Sequence, residues 1–262
     1  MAKYTLNDAL VALARYVLPI QEGAATSGAV TYLADNVRVA ADEQFNNGVI
    51  FFLTGTFAGT YAVVTDYDVA TGKFTFASVS GAGIATGTLY MACALISGAN
   101  LYHMIGAINQ ALASIGDVLD EDTTLTTVDT QESYDLPTGV FNVQKLEIAR
   151  STDEPYNWDN HSHFKEINDD LRIPYQYACL GTGYPMRLTY LAPHSTLDGA
   201  TDPISNNVNK EWLKLQSAIN LIQSLANRGV NWSKFKVIFE QAQERVIHIR
   251  PKQGIVISVK GA

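Results

Sequence analysis

The sequence predicts an α+β protein: a core of amphipathic helices packed as a bundle, with a β-rich extension and an inserted small β-sandwich or barrel. Three observations lead there. Apolar residues recur at helical spacing in three separated pieces of the chain. Residues 21–99, between the first two pieces, change to a Gly-, Ala- and Thr-rich texture with short apolar runs. Residues 123–204 return to strand-like runs interleaved with aromatic loops. The helical core is therefore assigned to 1–20, 100–122 and 205–250, the inserted β domain to 21–99, the β-rich extension to 123–204, and a β-prone arm to 251–262.

The first helix is expected over 5–18. Thr5 stands as N-cap with Asp8 three residues on, a variant of the capping box, and Leu6, Ala9, Leu10, Leu13 and Val17 form one apolar stripe before Pro19 stops it. Strands are expected at Val30–Leu33, Val37–Ala40, Val49–Leu53, Tyr61–Thr65, Phe74–Ala77 and Leu89–Leu95. The run Asp68 to Lys73 reads as a hairpin loop in which Gly72 supplies positive φ. Leu101, Met104, Ile105, Ile108, Leu112 and Ile115 mark a second helix, with Gly116 just past its end. Asp117–Asp122 reads as an acidic turn, and Thr123–Asp129, Phe141–Arg150 and Arg187–Leu191 as strands around an irregular aromatic stretch from Tyr156 to Tyr184. Asn207 is the expected cap of a third helix through Trp212, Leu215, Ile219 and Ile222, and Ser233 that of a fourth through Phe235, Phe239, Ala242 and Val246.

Composition narrows the function. Net charge is −8, and the densest basic run, Arg245 to Lys252, is broken by Val246, Ile247 and Ile249. That leaves no basic stripe to hold nucleic acid by its phosphates. Charged residues are 17%, against roughly 25% in typical soluble domains, which hints at surface covered by partners. No apolar run approaches the ~20 residues of a membrane span, so a soluble chain made in the cytosol is expected. Cys93 and Cys179, with no CxxC between them, are expected to be buried small hydrophobes.

Motifs for chemistry fail one by one, and no enzyme, cofactor or metal is expected. Gly81 to Gly87 resembles a dinucleotide fingerprint, but its last glycine is one residue late and no amphipathic helix follows. Asp159, His161 and His163 could share one face of a strand and offer a zinc ion three ligands. No general base stands in a recognisable relation to them, so hydrogen-bonded surface histidines are the preferred reading. Two groups point instead to partners. Tyr156, Trp158, Tyr175 and Tyr177 lie in the irregular stretch, where loop aromatics suit interfaces. Ile255, Val256, Ile257 and Val259 form an apolar strand with no hairpin mate, fit to add itself to another chain's sheet.

One resemblance emerges from the order of short motifs. Ala107-Ile108-Asn109-Gln110-Ala111-Leu112 is followed by Glu132-Ser133-Tyr134-Asp135-Leu136-Pro137-Thr138-Gly139-Val140. Then come Arg187-Leu188-Thr189-Tyr190-Leu191-Ala192-Pro193, a turn from Asp198 to Asp202, and Lys210-Glu211-Trp212-Leu213. In this order, with the N-terminal helix, the chain resembles the head-to-tail adaptor (connector) proteins of tailed bacteriophages, with residues 21–100 left over as an insertion. The resemblance implies a virion protein at the head–tail junction, forming a homo-oligomeric ring, a dodecamer, beneath the portal protein and against tail or nozzle proteins. DNA would pass through its lumen without specific binding, and the family has no catalytic residues to transfer. The C-terminal arm would dock on the portal or the next subunit. Two rivals stay open: a glycan- or receptor-binding module that uses the β domain and tyrosine-rich loops, and a metal-dependent hydrolase built on Asp159, His161 and His163.

Overall fold

A computed structural model describes residues 4–37, 41, 43–79, 81, 83–94, 100–231, 233 and 235–249. The chain divides into two compact units, Met1–Ser114 with Ser195–Pro251 and Ile115–His194 with Lys252–Ala262. The expected core of bundled helices is corrected. The protein is mostly β, with three antiparallel sheets and four α-helices among the described residues, and no helical bundle forms its core. The reason lies in where the bulky side chains sit. Tyr67, Tyr90, Phe45, Phe51, Phe52 and Phe74, the largest fully buried side chains, all come from the segment 21–99. Helical spacing marks one stripe per helix and says nothing of which layer holds the most apolar volume.

In the first unit, α1 (Leu6–Val17) begins as expected. The Thr5 hydroxyl accepts from Asp8 N, and the Asp8 carboxylate accepts from Thr5 N at 3.0 Å. Its stripe of Leu6, Ala9, Leu10, Leu13 and Val17 is buried. Seven strands follow: β1 (Ile20–Ala24), β2 (Ser27–Gly28), β3 (Tyr32–Ala34), β4 (Val49–Phe52), β5 (Thr60–Asp68), β6 (Lys73–Phe76) and β7 (Leu89–Cys93). They form one antiparallel sheet in the order β1-β7-β4-β5-β6-β3-β2. Alternation sends Ile50, Phe52, Tyr90 and Ala92 into a core of aromatics packed tilted and edge to face, where the Phe74 ring lies 4.6 Å from Tyr67, 5.3 Å from Phe45 and 5.4 Å from Tyr90. Ile84 plugs the same core from the loop Gly81–Gly87, and a strand rather than a helix follows that loop. Val37, expected in a strand, stands in a turn and is 77% exposed, while 38–40 lie outside the described residues.

The opposite face of β4 and β7 is also dry. Val49 and Phe51 pair with Cys93 and Met91 in register, and all four are 0% exposed. Since alternation turns them away from the aromatic core, other parts of the same unit must cover them. Three further helices follow among the described residues: α2 (Leu101–Ile115), α3 (Lys210–Ala226) and α4 (Lys236–His248). α1 packs on α3, and α3 on α4. The cap of α3 is Asn209, whose Oδ1 accepts from Glu211 N and Trp212 N, and not Asn207. A side-chain acceptor must sit two or three residues before the N–H it caps, and only Asn209 does. Ser233 does not cap α4 either; its hydroxyl donates to Asn231 Oδ1. That helix buries only Ala242, against Leu215 and Ile219.

A set of hydrogen bonds ties distant parts of this unit together. Leu6 N donates to Asp202 O and Asn7 N to Ala200 O, both at 2.9 Å, and Ile204 N donates to Tyr4 O at 2.8 Å. The turn itself is set by Asp202, whose carboxylate accepts from Asp198 N and Gly199 N. Asn109 on α2 holds the chain just before that turn, accepting from Leu197 N at 2.9 Å and donating to Leu197 O at 2.8 Å. Asn109→Ala removes both bonds and leaves a part-buried peptide unsatisfied, so a loss of about 1–3 kcal/mol is expected in chemical denaturation.

The second unit contains β8 (Asp117–Asp122), β9 (Ser133–Asp135), β10 (Val143–Ala149), β11 (Trp158–Asn160), β12 (Lys165–Ile167), β13 (Asp170–Arg172) and β14 (Met186–Pro193). They form a four-stranded sheet, β11-β10-β14-β8, and a three-stranded one, β12-β13-β9. Leu146, Ile148, Met186 and Leu188 from the first meet Leu171 and Tyr134 from the second in one core. The expected acidic turn at Asp117–Asp122 is instead a strand paired along its whole length with β14. Its carboxylates stay at the surface while Val118 is buried, so pairing costs them little hydration. Thr123–Asp129, expected as a strand, forms no regular strand but the isolated bridge Thr126↔Pro185, flanked by backbone hydrogen bonds from Met186 N to Leu125 O, Thr127 N to Tyr184 O and Gly183 N to Thr127 O. The stretch Tyr156–Tyr184 carries three short strands and a 3-10 turn at Tyr175–Tyr177.

Candidate interaction surface

The functional expectations converge on the second unit, where strand register builds an unusual outer face. β10 presents Leu146 and Ile148 to the core, so Lys145 and Glu147 point the other way. Glu147 stands directly opposite Arg187 on β14 and Asn160 on β11, while Trp158 stands opposite Ala149. Glu147 is therefore an outward residue, yet its side chain is only 9% exposed. It is covered by its own partners. Lys145 Nζ donates to Glu147 Oε1 at 2.7 Å, and Arg187 donates from Nε at 2.9 Å and Nη2 at 2.7 Å to Oε2. Burial raises the Glu147 pKa, and the hydrogen bonds and charges of Lys145 and Arg187 outweigh it, so the carboxyl is held below its usual range.

The guanidinium so fixed lies over the indole of Trp158, 4.7 Å from the ring centroid. Trp158 in turn meets Tyr156 edge to face at 5.4 Å. Lys145, Glu147, Arg187, Trp158 and Tyr156 thus form a connected ledge of flat side chains on a rigid sheet. The structure brings Tyr156 and Trp158 together. Tyr175 and Tyr177 sit in the 3-10 turn, Tyr175 64% exposed and Tyr177 half-buried and stacked on His163 at 3.7 Å with the rings nearly parallel. Ile255, Val256, Ile257 and Val259 lie outside the described residues. Arg187, Glu147 and Lys145 are members that sequence reasoning missed. The available signal was polar residues alternating with core residues in a strand otherwise apolar.

The Asp159, His161, His163 set is dispersed among other partners. Asp159 makes a two-pronged ion pair with Arg150, which holds its carboxyl below the ordinary value. His163 is engaged with the Tyr177 ring. The His161 ring lies 6.3 Å from that of His163, and burial first, then the neighbouring His163, depress its pKa. Among the described residues no group of three or more His, Cys, Asp and Glu side chains is placed to hold a metal ion. Both cysteines are free. Cys93 is buried, which pushes its thiol up to about 12, whereas Cys179 is exposed, contrary to expectation, because it follows the 3-10 turn at the edge of the core.

Glu147 gives this surface a pH signature. Its folded pKa is lowered, so its contribution to stability is present above the ordinary carboxylate value and is lost as pH falls through the folded one. Acidification should therefore loosen the second unit, and Glu147→Gln should flatten that limb. Thermal melts followed by circular dichroism between pH 3 and 7 check this; equal slopes in both proteins would contradict it.

No known protein family matches this chain, and no curated protein is significantly similar to it.

Proposed function

We propose that this protein is a structural virion component, a head-to-tail adaptor that forms a ring below the portal, links capsid to tail and lets DNA pass. One observation carries the reading. Three of the segments that bear the resemblance to phage adaptors lie along one run of contacts: Asp198–Asp202 bonds the start of the N-terminal helix, Ala107–Leu112 bonds the residue before that turn, and Lys210–Leu213 reaches the Tyr4 ring ahead of the helix. Asn109 holds Leu197, Asp202 and Ala200 receive the first N–H groups of α1, and Lys210 Nζ lies 4.6 Å from the Tyr4 ring centroid. Motifs that are degenerate alone thus lie along connected contacts, which supports a shared structural role.

Two further features support it. Residues 115–194 carry fourteen acidic against five basic side chains, net −9. A surface of that sign repels phosphates and suits a conduit that must release its cargo. The aromatic ledge beside Arg187 has the composition of interface anchors, so partner contacts are assigned to Tyr156, Trp158, Tyr175 and Tyr177, with the C-terminal arm as a second contact. No helix among the described residues is long and apolar enough to cross a membrane.

Cosedimentation of the purified chain with isolated portal rings of the same phage tests the reading. Saturable binding at a fixed ratio to portal subunits is expected. Trp158→Ala together with Tyr156→Ala should weaken it by roughly 1–4 kcal/mol, the range for interface anchors. A chain that stays in the supernatant at all portal concentrations would contradict it.

A further inference from the structure

The seven-stranded sheet has a second polar surface that the adaptor reading leaves unused. On its solvent side Ser27, Ala34, Lys73 and Asp68 stand directly opposite one another across β2, β3, β6 and β5, and Tyr32, Thr75 and Asp66 form the neighbouring row. The short side chain of Ala34 leaves a depression between longer neighbours. The resulting cleft has a volume of about 410 Å³, and hydroxyl, amide, carboxylate and ammonium groups line it together with the Tyr32 ring. That volume lies within the range of roughly 300–1,000 Å³ typical of small-ligand sites. The lining differs from most such sites in having almost no apolar side chain.

We propose that this face is a binding site for a neutral saccharide. The groups are held in place before any ligand arrives. Asp68 accepts from Ala70 N at 2.9 Å and from the Thr71 hydroxyl at 2.7 Å, and the Thr26 hydroxyl donates to Ala34 O at 3.1 Å. Lys73 Nζ is parked 4.8 Å from the Tyr32 centroid. Those bonds to Asp68 keep it below its ordinary pKa, so it is an ionised acceptor at neutral pH. Vicinal sugar hydroxyls need donors and acceptors side by side, which Asp68, Asn36, Thr71 and Ser27 supply, and the C–H face of a pyranose packs on an aromatic ring such as Tyr32.

Charge selects within the polar ligands. Lys73 stands against Asp68 and Asp66, so the face is net negative and disfavours phosphate, sulfate or sialylated groups. With little apolar lining, hydrophobic ligands would gain nothing from burial there. The inference is independent of the adaptor reading, since either can hold without the other.

Saturation-transfer NMR of the intact chain with a panel of neutral di- and trisaccharides of glucose, galactose, mannose, rhamnose and N-acetylglucosamine tests it. Transfer to at least one member is expected, with binding weakened roughly tenfold or more in Tyr32→Leu and in Asp68→Asn. Both variants are first checked for a wild-type melting temperature; should Tyr32→Leu fail that check, Asn36→Ala, which removes a polar partner from the same cleft, replaces it. No transfer to any member would overturn the proposal. So would transfer that survives the substitutions, or a preference for inorganic phosphate or sialylated sugars.

Discussion

Replacing residues 21–99 with a short Gly/Ser linker is expected to abolish cooperative unfolding of the unit that contains the four helices. Such a segment could in principle be removed cleanly if it only hung from its two flanking helices, because insertions sit where chain ends lie close. Here two central strands, β4 and β7, are buried on both faces over most of their length. Ile50, Phe52, Tyr90 and Ala92 fill the aromatic core, and Val49, Phe51, Met91 and Cys93 are fully covered on the other side. Each apolar side chain so buried contributes about 1.5–3 kcal/mol, so four of them contribute on the order of 6–12 kcal/mol. Their loss equals the whole stability of a typical domain, about 5–15 kcal/mol. Circular dichroism and urea titration would read the outcome. A deletion protein with native helix content and a sharp urea transition would show that the helices stand without the sheet.

The second large effect is expected at Gly72. Its φ is +60°, and a Cβ there would lie 2.1 Å from Asp35 O and 2.7 Å from Asp35 C. Neither atom can yield, because Asp35 N donates to Gly72 O at 2.9 Å and the Asp35 carboxylate accepts from the Tyr90 hydroxyl at 2.9 Å inside the sheet. Gly72→Val meets this collision and adds a β-branched residue in the left-handed region, together on the order of 3–5 kcal/mol, the tail of single-substitution effects. Gly59→Ala is the control. Gly59 also has positive φ, at +80°, but a Cβ there meets nothing within 4 Å, so only the backbone strain of about 1–2 kcal/mol is expected. Equal melting temperatures for the two variants would mean that the contact with Asp35 is not limiting.

These two positions mark how far local sequence carries. Gly72 was legible as a positive-φ turn residue, because the run from Asp68 to Lys73 between two apolar stretches has hairpin chemistry. Its contact with Asp35 was not, since nothing local couples residues 35 and 72. The same division runs through the helices. Thr5 with Asp8, and Gly116 after Ile115, are short-range signals, and the structure places both as read. The layer that supplies the core is a long-range property. Phe45, Phe52 and Phe74 declare themselves as its centre only once the strand order is known.

The candidate surface divides the same way. Tyr156 and Trp158 were legible as loop aromatics. Their partner Arg187 comes from a strand more than 25 residues further on, and it reaches Trp158 only because Glu147 stands between β11 and β14. Asp159, His161 and His163 looked like a ligand set because alternate strand residues share a face. β11 ends at Asn160, however, and Arg150 and Tyr177 engage two of the three side chains.

Electron-microscope class averages of the purified chain mixed with the portal rings that the adaptor reading assigns as its partner would test that reading most directly. A closed ring of added density, coaxial with the portal and with an open central channel, is the expected result. Portal rings that look the same with and without the chain would contradict it.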